Sequence, residues 1–181
     1  RVVYAYNAST QLPRLLQPAL DQLSERTKES ATLSVLDGDQ VVVAARANAR
    51  QTLRVSLSVG SHLPLFCSAA GRVLLAAMPE PQWTSLVERR HMTAFTPHTV
   101  THMAGLRRLL LRCQDEGYAM CDEEIELGVR SIAIPVHNAQ GEVVAAMSVS
   151  TRTERMLMKD MVRQCLPLMR QSRQDAERKL S

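Results

Sequence analysis

Two blocks of β-type patterning, one toward each end of the chain, enclose a helical middle, and this order leaves few folds open. In the first block, ATLSVLDGDQVVVAARA, Leu33, Val35 and Val41 to Val43 are β-prone and Asp37-Gly38 supplies a turn, so the stretch reads as a hairpin. TLRVSL adds a third short strand, and GSHLP reads as a loop. The second block gives YAMC, RSIAIPV and EVVAAMSVS, separated by an acidic turn and by the NAQG turn. Strands grouped this way with helices between them imply an α+β domain built on a largely antiparallel sheet.

The helical segments follow from spacing. Leu12, Leu15, Leu16, Ala19, Leu20 and Leu23 recur on one face, with Pro13 and Pro18 predicting two helical starts or a kink. SAAGRVLLAAM carries a Ser able to cap the helix behind it, and PQWTSLVERR follows two prolines. A third stretch starts near Thr101, places Leu106, Leu109, Leu110 and Cys113 on one side, and ends at Gly117. The last helix, from Glu154, turns Met158, Met161, Val162, Cys165 and Met169 inward, with Pro167 predicting a kink or break.

At 181 residues the chain fits one domain, able to hide roughly 70% of the surface its unfolded form exposes without a staple. Aromatics are 3% of the residues, too few for the base-stacking platforms of single-strand binders. The net charge of +4 sits on the last helix: eight Lys/Arg and four acids from Arg152 onward leave 14 of each over residues 1–151. A neutral body is not a duplex-binding face. The longest apolar runs, such as Val143 to Met147, are too short to span a bilayer, and the first residues do not have the pattern of a signal peptide. The four cysteines, 67, 113, 121 and 165, show no knuckle or redox spacing and read as reduced, buried thiols of a cytoplasmic protein.

Several residues bear on chemistry. Asp122, Glu123, Glu124 and Glu126 follow a strand and precede Gly128, where a solvated turn is expected; paired carboxylates for acid–base work are the competing reading. His98 and His102 have no acid or Cys at ligand spacing, so no metal site is expected. Cys67 precedes a helix, where a dipole can activate a thiol, but no histidine is placed by sequence to serve it. Ser68-Ala69-Ala70-Gly71 opens that helix with small side chains that leave backbone N–H groups bare, a natural seat for an anion. Ser148 and Ser150 share one face of the last strand, as Ser131 and Ala133 share one face of the strand before it. Hydroxyls on an inward face are costly unless they meet a partner: backbone, water, or a polar ligand.

The run LPLFCSAAGRVLLA, then RCQDEGYAMCDEEIELGVRSIAIPV and GEVVAAMSVS, resembles the C-terminal effector-binding domain of the IclR family of bacterial transcription regulators. RVSLSVGSHLP and VRSIAIPV are similar to the branch that senses protocatechuate, p-hydroxybenzoate and related aromatic acids. The resemblance implies a GAF-like fold with a curved sheet flanked by helices, an effector pocket on one sheet face, and a homodimer or tetramer. Residues 1–9 would end an interdomain linker helix, 10–181 would form the effector domain, and a winged helix-turn-helix would precede them and make the contact with DNA. The pocket positions it implies are Ser68, Ala69, Ala70, Gly71, Ser131, Ser148 and Ser150. Cys121 stands where members sensing small keto acids carry an acid, unless the register shifts by one and makes Asp122 the match. Leu63, Leu65, Phe66 and Met120 are candidate walls, and Arg54 or Arg130 candidate countercharges. The expected function is sensing a small carboxylate without cofactor or turnover; the alternative is a small hydrolase or transferase using Cys67 or the carboxylates at 122–126.

Overall fold

The computed structural model describes residues 2–49 and 57–181. A long helix α1 (Val2–Thr27) leads into the hairpin β1 (Ser30–Asp37) and β2 (Gln40–Ala47), followed by the two-residue strand β3 (His62–Leu63). Helices α2 (Ala69–Ala76), α3 (Glu80–Glu88) and α4 (Met103–Glu116) come next, then β4 (Ala119–Asp122), β5 (Val129–His137), β6 (Val143–Arg152) and the closing helix α5 (Met158–Arg178). The strands form one curled antiparallel sheet in the order β3-β2-β1-β6-β5-β4. β1 and β6 are the seam that joins the two sequence blocks, with Ser30 opposite Ser150 and Thr32 opposite Ser148.

Side-chain alternation splits the helices between the sheet's two faces. Ala31, Leu33, Ile132, Ile134, Met147 and Val149 point toward α1 and α5, where Leu16, Leu20, Leu23, Met161 and Met169 bury completely. The opposite face carries Thr32, Ser34, Ala133, Ala146 and Ser148, small or polar residues, and is covered by α2, α3 and α4. A bulge in β2 sustains this division. Leu33 pairs with Ala45 but Ser34 with Val43, so the extra residue Ala44 puts Val43 and Val41 on the face of Ser34 while Ala45 and Ala47 face α1. Small residues on the α2 face leave a gap between sheet and helices, and that gap becomes the site.

Several local expectations change. α1 runs unbroken through Pro13 and Pro18, and α5 through Pro167. A proline inside a helix forfeits a backbone bond and strains the preceding turn at about 3 kcal/mol. Leu12, Leu16, Ala19 and Leu20 in α1, and Leu166 and Met169 in α5, bury an apolar stripe against the sheet that offsets that cost. α5 begins at Met158 rather than Glu154, because Arg152 to Arg155 close a turn first. Within GSHLP, His62 and Leu63 pair with Val42 and Val41 as β3. The hairpin turn centres on Gly38 and Asp39, with Gly38 at φ 62° taking the conformation the first loop residue requires. The third-strand segment TLRVSL lies outside the described residues apart from Leu57.

Candidate functional site

Between the small-residue face of the sheet and helices α2 and α3 lies a cavity of about 530 Å³. Its wall is mostly apolar: Leu57, Leu63, Leu65, Phe66, Leu86, Val87, Phe95 and Ile125. Phe66 and Phe95 face each other with ring centroids 6.4 Å apart, within the range of aromatic pairs. Polar groups enter from three directions. The sheet supplies Thr32, Cys121, Ser131, Ser148 and Ser150, the start of α2 supplies Ser68, Ala69 and Ala70, and the hairpin tip with the end of α3 supplies Asp39, Gln40 and Arg90.

The α2 start forms because Ser68 is extended (φ −90°, ψ 148°) and its Oγ accepts the Gly71 N–H at 3.0 Å while donating to the Pro64 carbonyl at 2.5 Å. The amides of Ser68 and Arg72 are also taken, by the Pro64 and Ser68 carbonyls. That leaves the Ala69 and Ala70 N–H groups without an acceptor among the described residues, both residues being almost wholly buried. Two amides at a helix start, unpaired and beside a cavity, are donors waiting for an acceptor. One expectation needs correction here. Gly71 does not line the cavity, since its amide is spent on the cap and its Cα packs against the Leu65 carbonyl. Ser68 lines the cavity, with its hydroxyl engaged in the cap.

On the sheet, register brings the hydroxyls together. Cys121, Ser131, Ser150 and Ser30 are successive neighbours across β4, β5, β6 and β1, with Ser148 and Thr32 in the next row. Ser148 and Thr32 share a 2.8 Å hydroxyl–hydroxyl bond. Ser30 Oγ is buried and unpartnered beside Ser150. Cys121 lines the cavity and Asp122 does not; Asp122 accepts from Arg130 Nε at 3.0 Å. Burial pushes the Cys121 thiol up to about 11, with Glu124 adding to the effect, so it meets the cavity as a neutral group.

Met120 and Arg130 fall on the wrong face. Met120 packs with the α1–α5 core, because alternation along β4 sends it opposite to Cys121. Arg130 spends its guanidinium on Asp122 and the Met156 carbonyl, and cannot serve as a countercharge. Arg54 lies outside the described residues. Asp39, Arg90, Thr32, Leu86 and Phe95 went unread in the sequence. Thr32 was legible, since it alternates with Ala31 and Leu33 and shares a face with Ser34. Arg90 was not, because only the tertiary seating of α3 brings it to the hairpin tip.

The groups that suggested catalysis are committed elsewhere. Arg72, 2% exposed, grips Glu124 through both nitrogens at 2.5 and 2.6 Å and also donates to the Phe66 and Met120 carbonyls. Glu123 accepts from the Gly128 amide, and Glu126 sits 3.8 Å from Arg152. Cys67 is buried, and desolvation pushes its thiol up to about 12, the opposite of an activated nucleophile. No cluster of three or more His, Cys, Asp or Glu side chains able to hold a metal occurs among the described residues.

An α+β fold with this sheet and a mostly apolar cavity on its small-residue face is the build of a ligand-binding regulatory domain. The chain belongs to the IclR family: residues 4–178 match the family model described as "Bacterial transcriptional regulator IclR C-terminal". It is 35% identical over 167 residues to the Pca regulon regulatory protein of Pseudomonas putida, covering 92% of this chain and 57% of that protein. It is 33% identical to the p-hydroxybenzoate hydroxylase transcriptional activator of Acinetobacter baylyi, covering 92% and 63%. The chain thus spans about three fifths of these relatives. Among solved structures it resembles a putative transcriptional regulator from Rhodococcus (TM-score 0.89, 33% identity, 93% of this chain and 68% of that one). It also resembles the inducer-binding domain of a double mutant of PobR from Acinetobacter, solved with 3-hydroxybenzoic acid (TM-score 0.85, 31% identity, 91% and 97%). The relatives are transcriptional regulators, which leaves the hydrolase or transferase alternative unsupported.

Proposed function

We propose that this cavity binds a small aromatic carboxylate and that occupancy is passed, through α1 and subunit contacts in a homodimer or tetramer, to a DNA-binding domain. The observation that carries the reading is the pair of unclaimed amides at Ala69 and Ala70 beside a mostly apolar cavity. A carboxylate satisfies such amides and gains from the helix dipole. An aromatic ring suits the walls of Leu63, Leu65 and Phe66, and the few polar groups fix its orientation. Ser131, Ser148 and Ser150 take the remaining ligand oxygens, with the neutral Cys121 thiol beside them. The hydroxybenzoic acid bound by the PobR inducer-binding domain supports this ligand class. On this reading the protein works in the cytoplasm and meets DNA only through another domain. Coupling between effector and operator sites is typically about 1–3 kcal/mol, supplied by the effector's preference for one subunit arrangement.

The test is calorimetric titration with p-hydroxybenzoate and protocatechuate, backed by thermal shifts. Ser148→Ala with Ser150→Ala removes two hydroxyls and is expected to weaken binding by about tenfold or more while the fold survives. Unchanged affinity in the double variant, or no binding of any aromatic acid by the parent protein, overturns the proposal. Stabilisation without turnover is the signature of a sensor.

A further inference from the structure

Charge is distributed unevenly along the cavity. β1 starts at Ser30, opposite Ser150, and runs away from it to the hairpin tip, so Ser131 and Ser150 mark one end and Asp39 and Gln40 the other. At the serine end the charged lining residue is Glu126, an acid. A carboxylate placed there meets like charge, offset only in part by Arg152 at 3.8 Å from Glu126, and a neutral thiol. At the hairpin end stands Arg90, the one Arg or Lys that lines the cavity among the described residues.

Arg90 is held in place. Its Nε and one Nη donate to the two carboxylate oxygens of Asp39 at 2.7 and 2.8 Å, spanning from the end of α3 to the β1–β2 turn. A two-point grip of this kind fixes the plane of the guanidinium; the side-chain oxygen of Gln40, its amide turned toward Arg90, accepts from the remaining nitrogen at 3.1 Å, so one N–H of that nitrogen is left for an incoming anion. It also sets a carboxylate against the cation, so an incoming anion competes with a resident one. The Arg90 guanidinium draws the Asp39 carboxyl below its ordinary value, which keeps the pair charged at neutral pH.

We infer that Arg90 is the effector's countercharge and Asp39 its built-in competitor, so that the ligand's carboxylate, seated on the Ala69 and Ala70 amides, turns its open side toward the hairpin tip while the other polar substituents meet Ser131 and Ser150. This assignment rests on the carboxylate-sensor reading and adds to it the residue that selects for the anion. Asp39 lowers the affinity for every carboxylate and raises the demand on the rest of the ligand. A weak anion with a poorly fitting ring is then rejected, which is specificity by a resident opponent.

The experiment titrates the parent protein, Arg90→Gln, Arg90→Lys and Asp39→Asn with p-hydroxybenzoate and with the neutral p-hydroxybenzamide, at about pH 8, above the usual range of imidazole titration. Arg90→Gln is expected to weaken p-hydroxybenzoate by about fivefold to tenfold and to leave p-hydroxybenzamide within about twofold. Arg90→Lys recovers part of that loss, because the charge stays and the fork is lost. Asp39→Asn tightens p-hydroxybenzoate by about threefold, an effect that shrinks as salt is raised. Equal loss of acid and amide in Arg90→Gln overturns the inference and makes the side chain a wall. Weaker acid binding in Asp39→Asn overturns the competitor role. If the parent protein binds p-hydroxybenzoate and neither Arg90→Gln nor Asp39→Asn shifts its affinity, this inference fails while the sensor reading stands; if the parent binds no aromatic acid, both fail.

Discussion

Gly71 and Gly105 show how the same local crowding carries opposite consequences at single residues. A Cβ built on Gly71 falls 2.1 Å from the Leu65 carbonyl oxygen and 2.7 Å from its carbon, atoms of backbone that the cap already immobilises. A Cβ on Gly105 falls 2.7 Å from His102 Nε2 and 2.9 Å from a Val100 methyl, the far ends of side chains that turn aside. Gly71→Ala therefore forces α2 away from the loop before it and is expected to cost about 3 kcal/mol in urea unfolding. Gly105→Ala lies inside α4, where alanine is the better helix former by about 1 kcal/mol, and is expected to be near neutral. Equal costs at the two sites would show that the α2 start yields more readily than this geometry allows. The glycine in the SAAGR run is thus an element of cap architecture, which keeps the Ala69 and Ala70 amides clear.

At the scale of elements, the acidic stretch between β4 and β5 is held by a buried tie. The Arg72–Glu124 pair, with the Phe66 and Met120 carbonyls on the arginine and the Val100 amide on the glutamate, fastens α2, β4 and the loop before α4 to one another. Removing one partner of a buried ion pair strands the other charge and costs about 3–5 kcal/mol. Glu124→Gln is expected to lower stability by about that amount, whereas Glu126→Gln, whose side chain is 59% exposed, moves it by less than about 0.5 kcal/mol. Chemical denaturation of the two variants side by side decides this, and a comparable loss from each would contradict the division between a buried structural acid at Glu124 and an exposed one at Glu126. The sequence made the strands legible because Ala31, Leu33 and Val35 alternate with Thr32 and Ser34, and the same period placed Ser148 with Ser150. It hid the burial of Glu124 because a run of four acids reads as solvated until Arg72 is brought beneath it. Continuous helices through Pro13, Pro18 and Pro167 were hidden for a related reason: local propensity opposes them, and only burial against the sheet, a non-local term, reverses the balance. Arg90 belongs to the same class, since no spacing rule connects the end of α3 to a turn some fifty residues earlier.

For the molecule as a whole, the two cores on either side of the sheet share four buried thiols, Cys165 with α1 and α5 and Cys67, Cys113 and Cys121 with α2 to α4. Desolvation raises each of them from the ordinary 9.0, Cys67 to about 12 and the other three to about 11. The folded protein therefore keeps these protons at a pH where the unfolded chain has released them. A group whose folded value lies above its unfolded one supports the fold fully below the unfolded value and withdraws that support as pH rises toward the folded value. Stability is expected to hold up to about pH 9 and to decline from there toward about pH 11 to 12, the loss growing with each thiol that ionises in the unfolded chain. Unfolding midpoints followed across the alkaline range check this, and the quadruple Cys→Ala variant separates the thiols from Tyr118, whose hydroxyl is pushed up by burial from the ordinary 10.0. Its curve should lie lower at neutral pH, from lost packing, yet fall less steeply above pH 9.0. An identical slope in the two proteins would place the alkaline sensitivity outside the cysteines. Because three of the four thiols lie in the core beneath the cavity, the same linkage reaches the proposed effector site: alkaline loss of the α2–α4 core should carry away the proposed aromatic-acid binding, followed by titration calorimetry, at a lower pH than it carries away the α1–α5 face.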